Sequence, residues 1–355
     1  MKSHFKFAEE ASNNKEADMP ITTSGLTTLF QQSTKYIKQL MNKPKKAVQG
    51  VLFITGLMAL VACGGEKADS NVTRIGVAIP NFDDTFLVNM KDSMSAYAAK
   101  QDNLELIFVD AKEDTVKQLG QIQNFIIQQV DGIILVPVNT DATQPMTDDI
   151  LKAGIELVYL NRRPTYLPDG VAYVGSEELR FGEEQAKYAA SHSDGGNIGI
   201  IMGMMTVEAA ILRTQGVEDF FKEKPEYNII RKQTALWQRS QGMVVMENWI
   251  NSGDKLDIII SNNDDMALGA IQALRAAGKL DDTIVIGVDA TPDGLMAIKN
   301  GALDATVFQD GRSQARGAID AALSGINKTP RDKITWIPAE LVTKDNLAEF
   351  EAKQG

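Results

Sequence analysis

Residues 256–274 read LDIIISNNDDMALGAIQAL, a short apolar run followed by polar residues and then by an amphipathic helical pattern. An isoleucine-rich run of this length is typical of a strand that is buried on both faces of a sheet. Similar runs alternate with helical segments along most of the chain, and repeated strand–helix units predict parallel, doubly wound sheets. The other predicted strands are 75–80, 104–111, 132–138, 156–161, 171–175, 197–203, 227–233, 283–289 and 305–309.

The length and composition of the chain favour two globular bodies. The chain has 355 residues, of which 44% are hydrophobic and 23% are charged, as is ordinary for soluble globular domains. The ten predicted strands are more than a single hydrophobic core usually contains. The sequence therefore predicts an α/β protein with two doubly wound, Rossmann-like lobes.

An export signal precedes the first strand. Residues 41–63 read MNKPKKAVQGVLFITGLMALVAC, in which basic residues are followed by an apolar segment of signal-peptide length. The segment ends at Cys63, in a sequence that looks like a bacterial lipobox, where diacylglycerol is attached to the cysteine. The alternatives are a chance cysteine after a signal peptide and a short membrane anchor.

The same stretch divides the N-terminal part of the chain. We expect 41–62 to be a lipoprotein signal peptide and 63–72, which is small and polar, to be a flexible lipidated tether. Since export signals normally begin a chain, residues 1–40 are interpreted as a non-native leader from an over-extended gene start. Cys63 would then anchor an exported protein in the cell envelope.

The scarcity of reactive side chains restricts the possible functions. A net charge of −11 disfavours binding to nucleic acid, whose phosphates carry the same sign of charge. The chain has 2 His and 1 Cys, too few for a cysteine-rich zinc site or a disulfide framework. No Gly-x-Ser-x-Gly elbow or phosphate loop is present. We expect no metal, no cofactor and no enzymatic activity.

Polar side chains follow several predicted strands at the point where each strand ends. One such residue usually caps a helix, and Asp264, before MALGAIQAL, is predicted to do so. Five such ends are too many for capping alone, and ligands of doubly wound sheets bind beyond the carboxyl ends of the strands. The polar ends are 81–86, 161–164, 262–265, 289 and 309–311.

Five motifs along the chain are distinctive: RIGVAIPNFDDTF (74–86), LVYLNRRP (157–164), NNDDMALGAIQAL (262–274), IGVDATPDGLMAIKNGALDATVFQD (286–310) and KDNLAEF (344–350). In these motifs the chain resembles periplasmic sugar-binding proteins of the ribose, galactose/glucose and inositol type. The resemblance implies a type I periplasmic binding protein fold, with two lobes joined by three hinge crossings. We expect an N-terminal lobe of 73–175 plus 310–338 and a C-terminal lobe of 176–309 plus 339–355.

The resemblance also implies which residues contact the ligand. Carboxylates accept hydrogen bonds from sugar hydroxyls, arginine donates in a planar fork, amides do both, and aromatic rings cover C–H faces. Core packing is the alternative for the two phenylalanines, and packing under a hinge is the alternative for Trp237. Arg213 could instead pair with Glu178 or Asp219 at the surface. Arg162 could form a solvated pair with Arg163, which is itself predicted at the surface. By position the ligand contacts are Phe82, Asp84, Phe86, Asn161, Arg162, Arg213, Trp237, Asn263, Asp289 and Gln309.

Departures from the galactose/glucose pattern favour another ligand. That branch has a histidine and an aspartate shortly before the arginine equivalent to Arg213, whereas residues 206–210 here are TVEAA. It also has a calcium loop that this chain lacks, and Gln309 matches ribose- and inositol-binding relatives. We therefore expect a cyclitol such as myo-inositol or a related sugar, with galactose, glucose and ribose as alternatives.

The resemblance further implies a monomeric component of an ABC importer that delivers its solute to a membrane permease. Carrying a sugar to a chemoreceptor or sensor kinase is an alternative that the sequence does not separate from transport. A remote alternative is an envelope glycosidase that uses Asp84 and Asp289 as a carboxylate pair.

Overall fold

The computed structural model describes residues 72–354. The predicted leader, signal peptide and Cys63, and almost all of the predicted tether, lie outside the described residues. No helix within 72–354 is long and apolar enough to cross a membrane. The strands are β1 Thr73–Ile79, β2 Leu104–Asp110, β3 Gly132–Leu135, β4 Glu156–Leu160, β5 Ala172–Gly175, β6 Gly196–Met202, β7 Tyr227–Thr234, β8 Ile258–Ser261, β9 Ile284–Asp289, β10 Ala305–Gln309, β11 Ile334–Trp336 and β12 Ala339–Thr343.

Helices alternate with these strands, as the hydrophobic pattern predicts. A short 3-10 helix, Leu280–Asp282, precedes β9. The α-helices are α1 Thr85–Ala98, α2 Thr115–Ile127, α3 Gln144–Lys152, α4 Glu178–Ser191, α5 Glu208–Phe221, α6 Arg239–Asn251, α7 Asp264–Ala276, α8 Pro292–Lys299, α9 Gly311–Ile326 and α10 Leu347–Gln354.

The strands form two six-stranded sheets with corresponding strand orders. The first sheet has the order β11-β5-β4-β3-β1-β2 and is parallel throughout. The second has the order β12-β10-β9-β8-β6-β7 and is parallel except for the antiparallel edge strand β12. Every strand predicted from the sequence is present, and β11 and β12 are additional. The predicted fold class, two doubly wound α/β lobes, is confirmed.

The chain passes between the two sheets three times. The first crossing joins β5 to α4, the second joins β10 to α9, and the third joins β11 to β12. Helix α9 follows the second crossing and packs on the first sheet, where Ala315 and Ile319 join its core. These crossings are the three connections that the family resemblance implies.

Both faces of the first sheet are buried, which explains the uninterrupted apolar runs. Along β1, Ile75, Val77 and Ile79 belong to the core beneath α1 and α9. Ala78 faces the opposite core, which includes Phe125 of α2. Since side chains alternate across a strand, each strand of such a sheet must be apolar at odd and even positions.

Glycines allow α4 and α5 to approach closely. A Cβ atom on Gly182 would lie 1.9 Å from the carbonyl oxygen of Arg213, and one on Gly216 would lie 2.3 Å from that of Leu179. Real Cβ atoms do not come so close to backbone oxygen, so these positions need glycine for packing. The close approach sets the position of the Arg213 backbone.

We predict that Gly182→Ala lowers the free energy of unfolding by about 3 kcal/mol or more, because the clash is with backbone that cannot rotate away. The matched control is Gly120→Ala in α2, where a Cβ atom would have no neighbour within 4 Å. There alanine should raise the free energy of unfolding by about 0.5–1 kcal/mol through helix propensity. Urea unfolding measures both, and equal effects would contradict the close packing of α4 on α5.

Candidate ligand-binding site

A small cavity of about 30 Å³ lies between the lobes, at the carboxyl ends of strands from both sheets. The structure brings nine of the ten sequence-predicted contacts together around it. Their role as ligand contacts stays a prediction. The lining residues are Asp84, Phe86, Leu87, Asn161 and Arg162 from the first lobe, and Val207, Ala209, Arg213, Trp237, Asn263, Asp289 and Gln309 from the second.

The tenth predicted contact, Phe82, does not line this cavity. Its ring packs, partly buried, against the core beneath α1. The ammonium group of Lys91 lies 5.9 Å from the centre of that ring. This packing fits the core alternative, and a ligand contact by Phe82 stays a prediction.

A larger cavity of about 570 Å³ adjoins the small one. Phe86, Asp289 and Gln309 line both cavities. The larger cavity is bounded by α1 on one lobe and by the starts of α8 and α9. Its size is within the range of about 300–1,000 Å³ that is usual for small-molecule sites, whereas the small cavity is far below it.

Helix caps fix two of the polar residues at the cavity. The Asp84 carboxylate accepts a hydrogen bond from the Leu87 amide at 3.0 Å and caps α1. The Asn263 side chain accepts from the Met266 amide at 3.0 Å and caps α7. The prediction that Asp264 caps α7 is therefore wrong, because the helix begins one residue earlier and the carboxylate of Asp264 turns inward.

Three cavity residues have a left-handed backbone. The φ angles are +64° at Asn161, +66° at Trp237 and +112° at Asp289. Residues with side chains rarely adopt such values, and this kind of strain clusters at functional sites. Each of these residues lies at the end of a strand or in a loop and lines the cavity. The strained backbone is therefore found at the cavity.

A carboxylate outside the predicted set holds Arg162. The two terminal nitrogens of Arg162 donate to the two carboxylate oxygens of Glu113, each at 3.4 Å, and one also donates to the Pro137 carbonyl at 3.3 Å. The guanidinium is buried. Glu113 follows β2 and belongs to none of the motifs, so only the folded structure reveals it.

The guanidinium of Arg213 is bonded on three sides. Its Nε donates to Glu178 at 2.7 Å, and its terminal nitrogens donate to the Asn262 carbonyl at 2.6 Å and to the Gln309 side chain at 3.0 Å. The Asp289 carboxylate lies 3.9 Å away. The sequence offered Glu178 as a surface partner of Arg213, and the pair is instead buried.

A hydrogen-bonded chain ties Asn161 to two of the crossings. The Asn161 amide donates to Gln314 at 3.0 Å, and the Gln314 amide donates to the Ser176 hydroxyl at 3.2 Å. Ser176 lies on the first crossing, and Gln314 follows the second. Sequence reasoning missed Gln314, whose position in a helix gives no sign of a buried partner.

Two buried donors at the cavity have no partner within the described part of the chain. They are the indole N–H of Trp237 and the amide nitrogen of Gln309. Leaving such groups unbonded costs about 1–3 kcal/mol each, so they need an acceptor. Both residues line the cavity.

Burial raises the pKa of three acidic groups at or beneath the cavity. Burial is the largest cause for Asp84 and Asp289, and Arg162 and Arg213 respectively oppose it. Burial also raises the pKa of Asp264 to about 7, against hydrogen bonds from Thr306 and Thr291. A ligand that donates hydrogen bonds would stabilise the ionised forms of the two cavity carboxylates.

Two lobes that enclose a polar cavity at their strand ends define a solute-binding protein. The model of the periplasmic binding protein domain matches residues 75–329, and the chain belongs to that family. The family resemblance seen in the motifs is thereby confirmed. The family implies an exported, periplasmic location.

Relatives with related names cover almost the whole described chain. A Rhizobium meliloti protein named for rhizopine binding is 43% identical over 85% of this chain and 99% of its own. The xylitol-binding protein of Mycolicibacterium smegmatis is 34% identical over 82% and 83%. Both are binding proteins, which confirms the prediction that the chain is not an enzyme.

The solved structures include a similar protein with a ligand in place. An ABC transporter solute-binding protein of Bacillus halodurans, solved with bound myo-inositol, is 42% identical. The similarity covers 81% of this chain and 100% of that protein, with a TM-score of 0.77.

We predict that the free energy of unfolding falls as pH rises from about 4 to 7, and that Asp264→Asn weakens this fall. Because its pKa is higher in the folded state, Asp264 binds its proton more tightly there than in the unfolded chain, and that stabilisation is lost as pH rises toward 7. One such proton accounts for at most about 1.4 kcal/mol per pH unit. Urea unfolding at several pH values measures the slope.

The control for this comparison is Asp148→Asn on the exposed face of α3. That substitution should leave the slope as it is in the wild type. An Asp264→Asn protein with the wild-type slope would show that Asp264 is already ionised at low pH.

Proposed function

We propose that the protein captures one molecule of myo-inositol, or a closely related polyhydroxylated ring, between its lobes for an ABC importer. The observation that carries the proposal is the cavity lined by polar side chains from both lobes. Neither lobe alone supplies enough partners for a ring that bears a hydroxyl on every carbon.

The chemistry of the cavity suits an uncharged ligand rich in hydroxyl groups. Asp84 and Asp289 can accept hydrogen bonds from hydroxyl groups, and Arg162 and Arg213 can donate hydrogen bonds to them. The amides can do both, and the unbonded N–H groups of Trp237 and Gln309 need acceptors. The Trp237 ring offers an apolar face for the C–H side of the ligand ring.

The cavity residues that precede Arg213 in the sequence favour a cyclitol over galactose or glucose as the ligand. Val207 and Ala209 make that part of the cavity apolar, where the galactose/glucose pattern has a histidine and an aspartate. The similar Bacillus halodurans protein holds myo-inositol, which supports the same ligand class here. The Rhizobium meliloti relative is named for rhizopine, and the other for xylitol.

Capture requires the lobes to open and close. The cavity is lined from both lobes, so a ligand that contacts both must enter while the lobes are apart. We propose that 73–175 with 310–338 moves against 176–309 with 339–355 about the three crossings. Ligand bonds to both lobes then favour closure, and a membrane permease receives the solute from the closed monomer.

We predict that myo-inositol raises the melting temperature and quenches or shifts the fluorescence of Trp237. A ligand at 100 times its Kd stabilises a protein by about 2.7 kcal/mol, which such a scan detects. The panel includes other inositols, xylitol, ribose, galactose and glucose. A response to a pentose or hexose alone would show that the ligand is that sugar and not myo-inositol. No response to any compound of the panel would overturn the proposed solute-binding function.

The same assay tests the site through Asp289→Ala, with Asp293→Ala on the neighbouring turn as its control. Removing one partner of a buried charged contact costs roughly 2–5 kcal/mol, or at least about 30-fold in affinity. Asp293 is exposed and pairs with Arg239, away from the cavity. Wild-type affinity in a folded Asp289→Ala protein would exclude Asp289 from the site.

We further propose that lipid on Cys63 keeps the protein at a membrane. The support is the basic segment, the apolar segment and the single cysteine at the end of LVAC, followed by a small polar stretch. Buried acyl chains contribute about 0.8 kcal/mol per CH₂ group, so a diacylglycerol anchor holds firmly. A tethered binding protein stays within reach of its transporter.

Replacing Cys63 by serine should move the protein from the membrane fraction to the soluble envelope fraction, because no lipid can then be attached. Immunoblots of fractionated cells measure the change. Ligand binding by the Cys63→Ser protein is the control and should equal that of the wild type. A variant that still sediments with membranes would argue for an uncleaved apolar segment as the anchor.

A further inference from the structure

An ion pair joins the two lobes outside the crossings. Arg163 follows β4 on the first lobe, and Glu208 begins α5 on the second. The Arg163 Nε lies 3.1 and 3.3 Å from the two Glu208 oxygens, and one terminal nitrogen lies 2.5 Å from Oε1. The sequence predicts Arg163 at the surface, and the structure places it partly exposed and paired with Glu208 of the other lobe.

Hydrogen bonds beside the ion pair join the same two lobes. The backbone N–H of Thr140, after β3, donates to the Thr206 carbonyl at 3.0 Å. The Thr140 hydroxyl donates to that carbonyl at 3.3 Å and accepts from the Glu208 N–H at 3.2 Å. Because backbone groups take part, these bonds require the loop after β3 and the loop after β6 to lie directly against each other.

These contacts adjoin the cavity. Arg163 directly follows the cavity residue Arg162, and Glu208 lies between the cavity residues Val207 and Ala209. None of the bonded residues belongs to a crossing. They can therefore form only when the lobes are together, and they break when the lobes part.

We propose that Thr140, Arg163, Thr206 and Glu208 form an interlobe clasp that stabilises the closed conformation through protein atoms alone. The clasp lowers the rate at which the closed protein opens, and so positions the lobes around the solute without touching it. Its effect on solute release rests on the proposed function, whereas its effect on closure does not.

The ion pair between Arg163 and Glu208 stabilises the contact between the lobes more than a fully exposed surface pair would, because of its geometry and its partial burial. The side chains are 35% and 22% exposed, and the guanidinium meets the carboxylate with two of its nitrogens. The hydrogen bond to Glu208 raises the pKa of Arg163. The Arg163 guanidinium also lies 5.7 Å from the centre of the Trp336 ring, which fixes it on the first lobe.

Hydrogen exchange of the ligand-free full-length protein tests the clasp directly. The amides of Thr140 and Glu208 both donate across the lobes, so their exchange reports on opening. Glu208→Gln keeps the side-chain size and removes the charge. We expect exchange at these two amides to become about 5-fold faster, in line with the loss of a well-formed ion pair.

The matched control is Asp254→Asn. Asp254 accepts two hydrogen bonds from Arg231, at 2.7 and 3.0 Å, in a pair of the same kind within the second lobe. This variant should leave exchange at Thr140 and Glu208 as in the wild type. The exchanged pair, Arg163→Glu with Glu208→Arg, should recover part of the slower exchange, which a merely local structural defect would not.

Stopped-flow Trp fluorescence with myo-inositol gives the second measurement. Because the clasp forms after encounter, Glu208→Gln should raise the dissociation rate about 5-fold and leave the association rate nearly unchanged. Equal exchange at both amides in wild type and Glu208→Gln would overturn the clasp. Absence of binding by the wild type would overturn the choice of ligand, while the exchange comparison would still decide on the clasp.

Discussion

The buried guanidinium of Arg213 is the constraint on which the second half of the cavity depends. It bonds to Glu178 beside the first crossing and to Gln309 just before the second, so one side chain spans both connections. A buried charge without partners would cost several kcal/mol. Glu178 and Gln309 must therefore stay within hydrogen-bonding distance of Arg213. Gly182 makes room for the backbone of Arg213, which allows the guanidinium to reach these partners.

The sequence predicted the fold and most of the cavity because both follow from local patterns. Apolar runs such as 256–262 are visible in the sequence because strands covered on both faces tolerate few polar residues. The cavity residues stand where such runs end, and parallel strands bring their carboxyl ends to one edge. The sequence did not predict β11 and β12, and therefore not the full strand order, because short, half-polar strands carry little hydrophobic signal.

What the sequence did not predict depends on contacts between distant segments. Glu113 holds Arg162 but does not stand out by composition or spacing, and Glu178 was expected to meet Arg213 only at the surface. Arg163 looked like a solvated neighbour of Arg162, because its partner Glu208 lies on the other lobe. Asp264 looked like a helix cap, and only the folded chain shows its carboxylate bonded to Thr306 in the interior.

The placement of β11 ties the completion of the first sheet to the C-terminal part of the chain. The first sheet acquires this edge strand only from residues 334–336, and Glu156 pairs with Arg331 across 175 positions of sequence. A chain that emerges from one end cannot complete either sheet until nearly all of it has emerged. Such distant pairings also slow folding, since long loops must close first. Each sheet therefore receives one of its edge strands, β11 or β12, only from the C-terminal part of the chain.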